Sequence, residues 1–194
     1  MKAFSKFLSL LAVVGLASSA QAITIGNDAI DRTHGDGFSN FSMALLTEVV
    51  PAGGAYLTGW ETYIEYGAQG NMALLFLEDK GSNNYEVKFV DERTVALGLN
   101  SFSASGALDA GWIMGIWMGT AKVSFDYVSG PDTTYTANGA LGSAPTVGQT
   151  VAYTGNITDR VYSINATVPD AGATISLLGI GLIGLAAVSR RKSR

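Results

Sequence analysis

The residue types able to do chemistry gather first between Asn27 and Gly37, in the stretch NDAIDRTHGDG. Asp28, Asp31 and Asp36 place three carboxylates within nine residues, an oxygen-rich set suited to Ca2+, although the spacing departs from an EF-hand loop. The same residues serve equally well as turn caps in a solvated N-terminal segment, which is the plainer expectation. His34 is the only histidine of the chain. A Ser-His-Asp arrangement would have to use it, with Asp36 as orienter, but no G-x-S-x-G elbow supplies the serine, so a surface histidine is expected. Glu61 and Glu65 fall on one side of an alternating stretch, about 13 Å apart at the rise of a strand. That is wider than the roughly 5–9.5 Å at which glycosidase carboxyls work, and it predicts a solvated strand face. Trp112 and Trp117, in WIMGIWM, point to opposite faces of a strand. An exposed tryptophan there would stack on a sugar; the plainer expectation is a core strand in which Gly115 makes room for a neighbour. Asn40, Asn156 and Asn165 open N-x-S/T triplets, read as coincidence.

These residues must be positioned by strands, because apolar and polar side chains alternate with period two through most of the chain. Trp60, Thr62, Ile64 and Tyr66 share one face and Glu61, Tyr63 and Glu65 the other. Tyr85, Val87 and Phe89 alternate with Glu86 and Lys88, and Val123, Phe125 and Tyr127 with Lys122, Ser124 and Asp126. The continuous run MALLFL, Met72 to Leu77, reads as a strand covered on both faces. Residues 38–50, 95–99, 112–118, 151–153 and 161–166 are further strand candidates. Turn chemistry stands at Pro51–Gly54, Asp79–Asn84, Asp91–Arg93 and Ser129–Asp132. The Gly-, Ala-, Thr- and Pro-rich segment 129–150 reads as a long loop, or as a hairpin with a weak strand at 133–137. No convincing amphipathic helix and no internal repeat is visible. The expected fold is all-β, an antiparallel β-sandwich or jelly roll over residues 23–167.

Charge is unevenly distributed. Residues 23–167 hold six Lys and Arg against fifteen Asp and Glu, a net charge of −9 with His34 neutral. Such a body repels phosphate backbones, and nucleic acid is not an expected partner. The chain has no cysteine, which removes disulfides, thiol nucleophiles and Cys-ligated metals. About 145 residues are enough to hold together by core burial alone.

The two ends are apolar. Residues 1–22 carry Lys2 and Lys6 ahead of the apolar stretch Phe7–Leu16, followed by Ala20-Gln21-Ala22. This is the pattern of a signal peptide cut by signal peptidase after Ala22. At the other end, Ala171–Val188 is uncharged for 18 residues, about 27 Å as a helix and close to the hydrocarbon thickness of a bilayer. Arg190, Arg191, Lys192 and Arg194 follow and are expected to stop transfer on the cytoplasmic side. Pro169 breaks any helix before it, and Gly172 loosens the chain beside Asp170.

Val168-Pro169-Asp170-Ala171-Gly172, an apolar Gly- and Leu-rich segment and a basic end, in that order, resemble a PEP-CTERM-type sorting signal, and most closely its VPDSG-CTERM variant. Ala171 stands where the variant has Ser. The resemblance covers residues 168–194 and implies an exosortase, a membrane-embedded transpeptidase-like enzyme, as processing partner. It also implies a Gram-negative, biofilm- or matrix-forming host and a route from the inner membrane to the cell envelope, cell surface or extracellular matrix.

The chain is therefore expected to be a non-enzymatic exported protein, structural or adhesive, with no cofactor and with extracellular polysaccharide as a further candidate partner. The alternatives are a glycan- or Ca2+-binding module and a polysaccharide hydrolase held by a plain membrane anchor.

Overall fold

Among the described residues the chain forms fourteen strands. They are β1 (Ala22–Gly26), β2 (His34–Gly35), β3 (Phe41–Val49), β4 (Ala55–Ile64), β5 (Gly70–Asp79), β6 (Asn84–Val95), β7 (Gly98–Leu108), β8 (Ile113–Met118), β9 (Ser124–Tyr127), β10 (Thr134–Asn138), β11 (Thr150–Ala152), β12 (Gly155–Thr158), β13 (Arg160–Tyr162) and β14 (Ile164–Pro169). The structure is a computed structural model that describes residues 22–36, 38–65, 69–128, 134–138 and 141–169, the strand 134–138 by its backbone alone. Thr24–Val168 form one compact unit, and Met1–Ile23 with Pro169–Arg194 form another. The second lies almost wholly outside the described residues. The predicted leader through Gln21, Ala20 included, the apolar segment 171–188 and the cations Arg190, Arg191, Lys192 and Arg194 all lie there. Among the described residues, no helix is long and apolar enough to cross a membrane.

The strands form a four-stranded sheet in the order β1-β14-β4-β7, a seven-stranded sheet in the order β11-β6-β5-β8-β3-β10-β12, and a three-stranded sheet in the order β13-β9-β2. The pairings of β4 with β7 and β14, of β5 with β6 and β8, and of β3 with β8 and β10 are all antiparallel. An all-β fold of packed antiparallel sheets is what the alternation predicts.

The run MALLFL is covered on both sides. Met72, Leu74 and Phe76 enter the main core with Trp60 and Ile64 of β4 and Ile164, Ala166 and Val168 of β14. Ala73, Leu75 and Leu77 enter a second core on the other face of the seven-stranded sheet. Each large apolar side chain removed from water contributes about 2 kcal/mol, so a doubly covered strand anchors the body. The second core is closed from outside by Leu141 and Ala144, from the segment read as a loop or weak hairpin, which lean on it, and by Val151 and Tyr153, from the strand candidate 151–153, which are buried in it. The Tyr153 hydroxyl pairs with Ser42 Oγ at 2.8 Å, and burial pushes its pKa up to about 12.

Local detail departs from the sequence expectations at several places, and β1, β2 and β12 are not among the expected strands. Asp91-Glu92-Arg93 is the interior of β6 rather than a turn, because Asp91 accepts a hydrogen bond from Trp60 Nε1 of the facing sheet at 2.7 Å. Residues 95–99 are not one strand: Val95 ends β6, Ala96 and Leu97 make the turn, and Gly98 and Leu99 open β7, the turn being held by Asn100, whose side chain accepts from Ala96 N at 2.9 Å and donates to Ala96 O at 2.8 Å. Phe89 does not share a face with Tyr85 and Val87. Phe76 pairs with Phe89 but Leu77 with Val87, so Lys88 is an inserted bulge residue that turns Phe89 into the main core. Finally, β7 escapes a pattern search, because GLNSFSASGAL carries too few large apolar residues to show a period.

The turn at Asp79–Asn84 forms as its residues predict. Gly81, Ser82 and Asn83 all adopt positive φ, and Asp79 Oδ1 accepts from Gly81 N at 2.7 Å.

Candidate functional site

The polar segment 27–36 is bound to the body mainly by Arg32. Its backbone N–H donates to Ser124 Oγ (2.8 Å), its Nε to Ser163 Oγ (2.7 Å) and its guanidinium to Asp126 Oδ2 (3.3 Å) and the Asp28 carbonyl (3.2 Å). Asp126 also accepts from Thr33 N at 2.8 Å, and that backbone donor, ahead of Arg32, holds the Asp126 carboxyl below its ordinary pKa.

This anchoring delivers Asp36 to the interior, where it is fully buried. Tyr162 Oη donates to Asp36 Oδ2 at 2.5 Å, Arg160 to the same oxygen at 2.9 Å, and Phe38 N to Oδ1 at 3.2 Å. Burial, then the adjacent Asp36 charge, pushes the Tyr162 phenol far up, so it remains a neutral donor. Arg160 is held above its ordinary value: burial opposes its charge, but the Tyr162 hydroxyl and Asp36 outweigh it. The guanidinium also lies 4.3 Å from the centre of the Phe125 ring, a cation–π contact. His34 pairs across from Phe125 in the three-stranded sheet and is exposed, its ring edge-on to Tyr127 at 4.8 Å.

The three candidate Ca2+ ligands are thus not gathered. Asp28 and Asp31 are exposed while Asp36 is buried in an ion pair. Among the described residues, no three of His, Asp and Glu form a metal-holding group. His34 and Asp36 are likewise not hydrogen-bonded to each other among the described residues. Glu61 accepts from Ser101 Oγ at 2.8 Å, whereas Glu65 carries a buried oxygen with no hydrogen-bond partner. The two tryptophans point to opposite faces as expected. Trp117 is 4 % exposed in the second core, and Trp112 packs against the main core. Neither stands free as a sugar platform. Of the triplet asparagines, Asn40 and Asn156 are exposed and Asn165 is buried in β14.

One groove was not legible in the sequence. It opens between β4 and β7 on one side and β6 on the other, with a volume of about 610 Å³, lined by Tyr56, Phe89, Asp91, Arg93, Ser103 and Ser105 among others. Asp91 is fixed there by Trp60 and by Arg93 Nε at 2.9 Å, and Arg93 donates onward to the Ser103 carbonyl at 3.2 Å. Tyr56 is 55 % exposed at its edge. Its residues lie on three strands, which is why no sequence window shows it.

At the C-terminal end of the body, β14 lies between β1 and β4. Its Val168 is 1 % exposed in the main core, and its Pro169 is exposed. These are the first two residues of the motif read in the sequence; Asp170, Ala171 and Gly172 lie outside the described residues. No curated protein and no solved structure matches the chain. A family model described as the VPDSG-CTERM motif matches residues 167–192. The tail of this chain is thus similar to the VPDSG-CTERM motif, consistent with a C-terminal sorting signal of the PEP-CTERM type, which suggests an exported protein and implies an exosortase-like processing enzyme.

Proposed function

We propose that this chain is a non-enzymatic protein of the cell surface or extracellular matrix, exported behind a cleaved leader, with a β-sandwich that serves a structural or adhesive role. The observation that carries the reading is the VPDSG-CTERM motif at residues 167–192. The polar chemistry of the body supports it. Asp36, Asp91 and Asp126, and Glu78 and Glu86, are each engaged by protein donors. The position of β7 supports it as well: among the described residues it is the last strand of its sheet, Gly98–Leu108 contains no charged residue, and an uncharged edge is the kind to which a neighbouring strand adds.

The test uses purified residues 23–169 with matrix polysaccharides. No turnover is expected; turnover that disappears in a single carboxylate variant would overturn the reading. Ser101→Lys with Ser105→Lys on β7 should weaken concentration-dependent self-association in sedimentation velocity.

A second reading, a glycan-binding module, is favoured by the groove beside Tyr56. An exposed aromatic ring next to a fixed Asp–Arg pair and two serine hydroxyls suits a saccharide, which offers both an apolar face and hydroxyl groups. Saturable polysaccharide binding lost in Tyr56→Ala, measured by calorimetry, would establish it.

A further inference from the structure

Val168 has two memberships. It is the first residue of the motif and, at 1 % exposure, part of the main core beside Ile164 and Ala166, both fully buried. The strand that carries it is held on both edges. Ile164, Asn165, Ala166 and Thr167 pair with Thr62, Glu61, Trp60 and Gly59 of β4, Asn27 N donates to the Ile164 carbonyl at 2.8 Å, and Thr58 Oγ1 donates to the Thr167 carbonyl at 3.0 Å. No residue separates the core from the motif. The family match itself begins at Thr167, inside the strand.

An enzyme that grips a linear motif takes it as extended backbone, with alternate side chains in pockets. In the docked strand the Val168 side chain is buried in the core and the Thr167 carbonyl is already bonded. The fold and the processing enzyme therefore need the same residues in incompatible places. We propose that they compete for β14: the enzyme engages Val168-Pro169 only while the strand is undocked, and docking of β14 closes the motif to it. Removal of the tail breaks one amide bond C-terminal to Pro169. The carbonyl carbon passes to water or an amine nucleophile, and the tail leaves with the new amino group. The strand stays whole and completes the four-stranded sheet. This rests on the sorting reading of the tail.

The test is pulse-chase of the full-length chain in its native host. Glu61→Cys with Asn165→Cys joins register partners of β4 and β14, whose spacing suits a disulfide; the chain has no other cysteine. Oxidised, this clamp should lengthen the precursor lifetime at least tenfold, and added reductant should restore the wild-type rate. A second variant keeps the clamp but inserts a Gly-Ser spacer and a second Val-Pro between Pro169 and Asp170. It should be processed at the wild-type rate even when oxidised, because its motif lies outside the sheet. Ile164→Ala, which loosens β14 without touching the motif, should raise the ratio of mature to precursor chain at least threefold, a direction that simple misfolding does not produce. An oxidised clamp processed at the wild-type rate, or an Ile164→Ala ratio that is unchanged or lower, overturns the competition. Wild-type chain recovered only with its C-terminus at Arg194 overturns instead the sorting reading on which it rests.

Discussion

The phenol of Tyr162 lies 2.5 Å from Oδ2 of Asp36, a residue 126 positions earlier in the chain. This contact, with Arg160 at 2.9 Å from the same oxygen, neutralises a fully buried carboxylate and ties the N-terminal segment to β13. Removing one partner of a buried ion pair leaves an uncompensated charge, at a cost of about 3–5 kcal/mol. Arg160→Met should therefore lower the unfolding free energy by about 3 kcal/mol. Tyr162→Phe, which deletes one donor and keeps the ring, should cost about 1–3 kcal/mol. Urea titration of the two variants checks both values. Equal, near-zero effects would show that the cluster is not a structural cross-link.

A second network should give pH dependence. Glu78 and Glu86 face each other across β5 and β6. Lys80 and Lys88 each bridge both carboxylates at 2.7–3.0 Å. Hydrogen bonds from the lysines hold both glutamates below their ordinary range and raise both lysines above theirs. A lowered carboxylate stabilises the fold fully above its unfolded pKa, about 4.3, and loses that contribution as pH falls through its lower folded value. A raised lysine stabilises fully below its unfolded pKa, about 10.4, and loses it as pH rises through the higher folded value. The melting temperature of the wild-type body should fall more steeply below about pH 4.3 than that of Lys80→Gln with Lys88→Gln. Because these groups are partly exposed, the difference should shrink in 1 M salt.

Close packing through the seven-stranded sheet leaves no room at Gly115. A Cβ there would stand 2.8 Å from Leu77 Cδ1 and 2.9 Å from the Met43 carbonyl. Gly115→Ala should destabilise by about 1–3 kcal/mol through overpacking. Gly142, with nothing among the described residues within 4 Å of its added Cβ, is the control, and Gly142→Ala should stay within about 0.5 kcal/mol. Thermal unfolding by circular dichroism distinguishes them.

The tryptophans of β8 should behave as core residues. Trp117, buried in the second core that also holds Val87 and Tyr85, should cost about 3–5 kcal/mol as Trp117→Ala. The loss should appear in chemical denaturation, whether or not a saccharide is present. A Trp117→Ala variant of wild-type stability that had lost saccharide binding would contradict this.

What the sequence determined by itself was local. Period-two alternation predicted the strands of an all-β fold, the doubly covered run Met72–Leu77 and the opposed tryptophans, because strand geometry sends successive side chains to opposite faces whatever lies beyond them. The turn at Asp79–Asn84 was legible for the same reason, since Gly, Ser and Asn carry its positive φ values within the turn itself. The tail was legible because a sorting signal is read as a linear string. Tertiary structure alone decided partners. The bulge at Lys88 reverses the face of Phe89, and the Trp60–Asp91 bond keeps Asp91–Arg93 extended where composition suggested a turn. Asp36 became the buried end of an ion pair rather than a ligand beside Asp28 and Asp31, because Arg160 and Tyr162 reach it from more than 120 residues away. Val168 gained its second role in the same way. A motif residue becomes a core residue only when β1 and β4 close on either side of it, and no local pattern encodes that closure.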